Sequence, residues 1–186
     1  MENTANNSDN TRTDFRNAMA RMGAAVNIIT SNGETGRCGM TATAVCSVSD
    51  TPPSVLVCLN RSSAMNAVFK ANGVLCINVL SADQESHARD FAGMTGVPME
   101  QRFAAGNWRE GILQLPLLGH ALANLQGRII STEEVGSHTV MIVAIEKIDL
   151  DADGGDSLVY FDRLFHRVPR QQVAAEQTAA RDSTPS

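Results

Sequence analysis

The stretch GMTATAVCSVSDTPPSVLVCLNRSS, residues 39–63, decides how this chain folds. Two runs rich in apolar and β-branched residues, 39–48 and 55–60, flank the turn signal Asp50–Pro53, so they predict two paired antiparallel strands. The first run is built from small residues where a core strand usually has bulk. Packing alone explains that choice, and so does a flat ligand that lies against the sheet.

The second run ends in Asn60-Arg61-Ser62-Ser63, just before a helix predicted over 63–71. A helix N-terminus carries unpaired N–H groups and a partial positive charge. Together with two hydroxyls and a guanidinium, it suits an anion, and phosphate is the natural guest. An ordinary N-cap at Ser62 or Ser63 accounts for the serines equally well.

The rest of the chain predicts a mainly β fold with helical insertions. Strands are expected at 24–30, 74–80, 121–132, 138–150 and 157–161, and helices at 13–22 and from Ser81 or Asp83 to Phe91. Strands outnumber helices and rarely alternate with them, which favours an antiparallel barrel over a doubly wound parallel sheet. We expect a disordered segment at 1–12, a folded domain at 13–168 and a flexible tail at 169–186.

Composition argues against nucleic-acid and membrane partners. The 186 residues carry a formal charge of -5 and no basic stripe, whereas nucleic-acid binders cluster Lys and Arg. Apolar runs such as Val140–Ile145 are strand-sized and too short to span a bilayer. The polar N-terminus lacks the apolar core of a secretory signal, so we expect a cytoplasmic protein.

The four cysteines do not indicate a metal site or disulfides. No CxxC pair occurs, and no histidine lies near them at the spacing of zinc ligands. Cys46, Cys58 and Cys76 lie within apolar runs and are expected to be core thiols. The glycine motifs of dinucleotide and P-loop sites and the GxSxG motif are also absent.

Several segments together resemble the flavin-reductase-like, FMN-binding split-barrel family over about residues 14–168. These are Phe15–Met19, Gly39–Ser47, Asp50–Asn60, Phe91–Gly93, Arg102–Phe103 and Gly136–His138. The resemblance implies an antiparallel split β-barrel of the FMN-binding type.

The resemblance also assigns binding residues. It implies flavin contacts at Thr41, Ala42, Thr43, Ala44, Cys46, Ser47, Asn60, Arg61, Ser62, Ser63 and Phe91. It implies nicotinamide contacts at His138, Tyr160, Arg163 and His166. Ser137 stands where the family has an acidic residue, so only His138 is carried over from that turn. Phe91 fits a core position as well, and the last three nicotinamide residues fit a barrel rim.

The implied activity is NAD(P)H-dependent flavin reduction, with hydride passing from NADH or NADPH to FMN or FAD. No side chain is needed as a nucleophile, because the cofactors carry the chemistry. A homodimer is implied, and a separate oxygenase that receives the reduced flavin and hydroxylates an aromatic substrate. Two alternatives stay open: a reductase serving a pyrimidine-degrading or other flavin-dependent oxygenase, and a non-enzymatic split-barrel protein that binds flavin or haem.

Overall fold

The computed structural model describes residues 2–171, with side chains from Asp9 onward. The helices are α1 (Glu2–Ala20), α2 (Ala64–Asn72), α3 (Glu85–Phe91) and α4 (Met99–Ala104). The strands are β1 (Ala24–Ala25), β2 (Asn27–Ser31), β3 (Cys38–Ala42), β4 (Val45–Asp50), β5 (Pro53–Asn60), β6 (Val74–Val79), β7 (Trp108–Glu110), β8 (Pro116–Leu118), β9 (Ala123–Val135), β10 (His138–Leu150), β11 (Ser157–Phe161) and β12 (Leu164–Val168).

The fold is mainly β and antiparallel, as predicted. Seven strands form one sheet in the order β3-β2-β6-β9-β10-β5-β4. A three-stranded sheet, β1-β11-β12, and the hairpin β7–β8 accompany it. All the strand pairs within these sheets are antiparallel, so short hairpins account for many of the connections.

The seven-stranded sheet curls on itself at Thr43 and Ala44, which alone separate β3 from β4. β3 pairs with β2 at one edge of the sheet, whereas β4 pairs with β5 at the other edge. A residue advances the chain by at most about 3.6 Å. A link of two residues therefore holds the two edges close together. The Ala44 carbonyl accepts a hydrogen bond of 3.0 Å from the Cys58 N–H of β5 and completes the contact.

This link corrects the prediction of one continuous strand over 39–48. Residues 45–50 do pair with β5, but residues 38–42 pair with β2 on the far edge. The chain turns at Ala44, where the Val45 N–H donates to the Thr43 carbonyl at 2.9 Å. Such a tight turn carries no Gly or Pro here, so the sequence offers no turn signal at that point.

α2 closes one end of the barrel, and its bounds confirm the predicted helix. The Ser63 hydroxyl caps it by accepting from the Met65 N–H at 3.3 Å, and Gly73 ends it with a left-handed φ of 66°. Phe69 from this helix is fully buried among the apolar side chains of the sheet, including Leu59 and Leu75. The burial of this one ring anchors α2 directly after β5.

Buried amides join the β7–β8 hairpin to the large sheet. Asn78 of β6 is fully buried and donates to the Ile28 carbonyl at 2.9 Å and to the Thr30 hydroxyl at 3.2 Å. Its carbonyl oxygen accepts from the Leu118 N–H and from the Asn124 amide, each at 2.8 Å. A buried amide with partners on both its nitrogen and its oxygen is fully satisfied, so it specifies where β8 lies.

Three regions differ from the sequence-based expectations. The hairpin β7–β8 and strand β12 were not predicted, because strands of three to five residues show too little periodicity. The segment 1–12, expected to be disordered, is helical from Glu2, since adding turns to an existing helix needs no new nucleus. Most of the predicted tail, residues 172–186, lies outside the described residues. Over residues 2–171, no helix is long and apolar enough to cross a membrane.

Asn78→Ala tests the buried amide network. The substitution leaves the Leu118 N–H and the Asn124 amide without their shared acceptor, so we expect a loss of about 2–4 kcal/mol of unfolding free energy. Urea unfolding followed by circular dichroism measures it, with Asn10→Ala on the exposed part of α1 as the control. A loss below about 0.5 kcal/mol in Asn78→Ala contradicts a stabilising role for the network.

Candidate functional site

The register of β5 and β10 brings the predicted phosphate segment against His138. Asn60, the last residue of β5, lies directly opposite His138, the first residue of β10. The Arg61 N–H donates to the Ser137 carbonyl at 2.9 Å, and the Arg61 guanidinium donates to the Gly136 carbonyl at 3.1 Å. Residues 60–63 and the 136–138 turn therefore form one site at one end of the barrel.

The segment 60–63 is held in a compact, hydrogen-bonded turn directly before α2. The Asn60 side-chain oxygen accepts from both the N–H and the hydroxyl of Ser62, each at 2.9 Å. Ser63 is the N-cap of α2, and the first turn of that helix contains no acidic residue. The positive end of the helix is thus not neutralised by its own side chains, which fits a phosphate group.

Two residues that the sequence analysis missed carry charge into this site. Glu134 of β9 forms ion pairs with Arg61 at 2.8 Å and with Lys70 of α2 at 3.2 Å. The three side chains are each about half exposed, between 40% and 48%. Only the exact register of the β9–β10 hairpin places Glu134 there, and the sequence does not determine that register.

The predicted ring-binding strip forms a surface of small side chains beside the phosphate segment. Ala44 is hydrogen-bonded to Cys58, two residues before Asn60 on the same strand. Ala44, Cys46 and Ser47 are exposed, while Thr41, Ala42 and Thr43 are half-buried. The Thr41 hydroxyl is already engaged, because it donates to the Ala88 carbonyl of α3 at 2.7 Å. The accessible part of the strip is therefore Ala44, Cys46 and Ser47.

Phe91 occupies a core position. It is 3% exposed, and its ring meets those of Phe103 and Trp108 with centroids 5.1 and 5.4 Å away. A Cβ on Gly39 would lie 2.7 Å from the Phe91 ring, so the glycine lets α3 approach β3 closely. The burial leaves almost no surface of this ring for a ligand, and packing is its observed role.

Tyr160, Arg163 and His166 lie on the β11–β12 hairpin, outside the sheet that carries His138. Arg163 donates to Asn17 of α1 at 2.7 Å, and the His166 Nε2 lies 3.1 Å from the Phe161 carbonyl. The Tyr160 ring packs edge-on against Phe165, with centroids 5.2 Å apart. Within one chain these residues contact α1 and their own hairpin, while His138 contacts Ser137, whose hydroxyl lies 2.9 Å from the His138 Nδ1.

The cysteines divide by exposure, which corrects one prediction. Cys38 and Cys76 are buried, and burial raises the pKa of Cys38 to about 12 and also raises that of Cys76. Cys46 and Cys58 were also expected to be core thiols, but Cys58 is only half-buried and Cys46 is exposed, because β4 is an edge strand. Within residues 2–171, no group of three or more His, Cys, Asp or Glu side chains is placed to hold a metal ion.

A separate cleft of about 350 Å³ lies at the other end of β10. Leu122, Leu150 and Val168 line it together with the polar loop that contains Asp151. It shares no residue with the segment 60–63 or with the 136–138 turn, which lies at the opposite end of the same strand. We assign the site to residues 60–63 and 136–138 because the predicted phosphate segment and His138 meet there.

Comparison with known proteins gives concordant matches. Residues 19–169 match the family model described as flavin reductase like domain. The chain is 60% identical over 161 residues to the 4-hydroxyphenylacetate 3-monooxygenase reductase component of Pseudomonas aeruginosa, covering 87% of this chain and 94% of the relative. It is 51% identical over 156 residues to FMN reductase (NADH) RutF of Escherichia coli, covering 84% and 93%. The solved structure of Streptomyces globisporus C-1027 NADH:FAD oxidoreductase SgcE6 superimposes with a TM-score of 0.77 at 28% identity, covering 86% and 94%.

Thiol labelling tests the placement of the exposed strip. In the native protein we expect a disulfide reagent to modify Cys46 first, because Cys38 and Cys76 are buried, Cys58 is half-buried, and burial raises the pKa of all three thiols. Cys46→Ser removes the fast phase, whereas the matched Cys38→Ser variant retains it. A fast phase that survives in Cys46→Ser contradicts the exposure of β4.

Proposed function

The chain belongs to the flavin reductase like domain family, and from that premise we propose that it is the reductase component of a two-component 4-hydroxyphenylacetate 3-monooxygenase. It oxidises NADH or NADPH, reduces FMN or FAD, and supplies the reduced flavin to a separate oxygenase that hydroxylates the aromatic substrate. The observation that carries the proposal is the convergence of segment 60–63, the small-residue strip and His138 at one end of the barrel in a chain of this family. Such a reductase needs no membrane, and we place it in the cytoplasm, which cell fractionation checks.

The residues of the site fit a flavin phosphate and ring. Arg61, the Ser62 hydroxyl and the first N–H groups of α2 would bind the phosphate, and residues 41–47 would lie under the ring. When bound, the flavin supplies a hydride acceptor and the nicotinamide supplies the hydride. The task of the chain is to bind and orient both and to exclude water.

His138 is proposed to orient the reduced nicotinamide. Its Nδ1 lies 2.9 Å from the Ser137 hydroxyl, which restrains the ring next to Asn60. An imidazole held in this way can hydrogen-bond the carboxamide or a phosphate oxygen of the reductant without transferring a proton. Phe91 contributes to the flavin site through packing, and Tyr160, Arg163 and His166 remain proposed nicotinamide contacts on the β11–β12 hairpin.

The similarity to FMN reductase (NADH) RutF favours a second candidate, a reductase with the same chemistry that serves a different oxygenase. The two candidates differ only in the enzyme that consumes the reduced flavin. Reconstitution with purified oxygenases distinguishes them, because only the matching oxygenase couples NADH oxidation to product formation.

A homodimer completes the proposal. Phe15, Met19 and Met22 at the start of the chain are 61%, 43% and 62% exposed, and every side chain from Asp9 to Met19 is exposed. A helix with so little packing in its own chain is marginal in water. A second copy of the chain that covers these apolar residues would remove them from water.

Activity and binding measurements test the proposed function and the assignment of Ser62 to the flavin and of His138 to the nicotinamide. Wild-type protein should oxidise NADH, followed by absorbance, only when FMN or FAD is added, and no oxidation with either flavin contradicts the proposal.

Ser62→Ala removes a hydroxyl from the phosphate site, so we expect FMN Kd to rise about tenfold. His138→Ala should raise KM for NADH while FMN Kd changes by less than about twofold.

Ser86→Ala, an exposed serine on α3, is the control for both variants. If His138→Ala weakens FMN binding as much as NADH turnover, His138 belongs to the flavin subsite. If Ser62→Ala leaves FMN Kd unchanged, the phosphate lies elsewhere.

Light scattering tests the homodimer. We expect a mass of twice the single-chain 19.9 kDa at micromolar concentration. Met19→Asp places a charge within the apolar stripe of α1 and should shift the mass towards one chain, because a buried unpaired carboxylate strongly destabilises an interface. Thr13→Asp, at an exposed position on the other side of the helix, is the matched control and should leave the mass unchanged. A wild-type mass of 19.9 kDa contradicts the homodimer.

A further inference from the structure

Glu134 engages the two cations beside the proposed phosphate site. Its two carboxylate oxygens are divided between them, with Oε2 at 2.8 Å from the Arg61 guanidinium and Oε1 at 3.2 Å from the Lys70 ammonium. Arg61 precedes α2 and Lys70 lies in its last turn, so the carboxylate lies along the helix that bears the anion site. A carboxylate in that arrangement makes the contacts that a phosphate group would also seek.

The sheet register explains why Glu134 reaches this position. Glu134, Thr139 and Leu59 lie opposite one another on β9, β10 and β5, and such residues share one face of the sheet. Leu59 and Thr139 are fully buried, and the Thr139 hydroxyl donates to Asn66 of α2 at 3.3 Å. Glu134 therefore lies on the face that α2 covers, whereas its neighbour Glu133 points to the opposite face.

The charges of this cluster set up a competition. Two cations and one carboxylate leave a formal charge of about +1, whereas a phosphate monoester brings about -1.5 to -2 at pH 7. Half-exposed ion pairs are weak in water, so the phosphate can displace the carboxylate from Arg61. The displaced carboxylate stays near the phosphate as a like charge and opposes binding.

We propose that Glu134 is a specificity-determining residue that competes with the flavin phosphate for Arg61. This inference rests on the proposed function, since the flavin phosphate is a ligand of that function. The competition lowers affinity for phosphate-bearing flavins and leaves flavins without a phosphate unaffected. Moderate affinity suits a reductase whose reduced flavin has to leave for another enzyme.

Flavin titrations test the competition directly, with FMN as the phosphate-bearing probe and riboflavin as the probe without phosphate. Glu134→Gln keeps the shape of the side chain and removes its charge, so we expect FMN Kd to fall about three- to tenfold while riboflavin Kd stays within about twofold. Glu133→Gln removes the neighbouring charge on the opposite face and should change neither Kd by more than about twofold. Quenching of flavin fluorescence measures binding without turnover.

Salt and a second substitution make the assignment specific. Raising NaCl from about 0.05 to 0.5 M should shrink the gain of Glu134→Gln, because added salt screens exposed charges. On an Arg61→Gln background the gain should shrink as well, since the contested cation is gone.

Each result supports or overturns the proposal. If Glu134→Gln leaves FMN Kd unchanged, raises it, or tightens riboflavin equally, the competition is wrong. A wild-type protein that binds both flavins but oxidises no NADH overturns the proposed function and leaves this binding test intact. A wild-type protein that binds neither flavin overturns both.

Discussion

The architecture depends on the two-residue link through Thr43 and Ala44. Because β3 pairs with β2 and β4 pairs with β5, this link ties the two edges of the seven-stranded sheet together. A sheet whose edges meet at one point must curl, and it becomes a barrel that is closed at the link and open beyond it. The small side chains of this stretch serve the turn and leave an accessible strip on its surface. The same residues therefore determine both the closure and the place where a flat ligand can lie.

The polar site is a consequence of strand register. Asn60 ends β5, His138 begins β10, and their pairing brings the start of α2 against the 136–138 turn. The next residue row, Leu59, Thr139 and Glu134, adds a carboxylate on the face covered by α2. A slip by one residue would move Glu134 to the opposite face and separate it from Arg61. Chemistry and charge at this end of the barrel are thus set by the same backbone ladder that stabilises the sheet.

Much of the site follows from local sequence, and the rest follows from contacts between distant segments. The run Asn60–Ser63 before an apolar helix predicts an anion-binding turn, and the structure shows its Asx hydrogen bonds and its N-cap. Lys70 and Glu134 carry no local signal, because an exposed Lys on a helix and a Glu on a hairpin are ordinary surface residues. The exposure of Cys46 is likewise a tertiary property, since an apolar run on an edge strand resembles one in the core.

By itself, the sequence determined the fold class, helix α2 with its caps, and the long strands β9 and β10. Those features depend on periodicity, capping residues and turn chemistry within a few residues, which a sequence displays directly. Only the tertiary structure decided that residues 39–48 form two strands on opposite edges, that Phe91 is a core residue, and that a buried amide network holds the β7–β8 hairpin. It also decided that Glu134 faces Arg61 and Lys70. Each of these depends on pairing between residues far apart in the chain, where local propensity is silent and the register of the sheet chooses the partners.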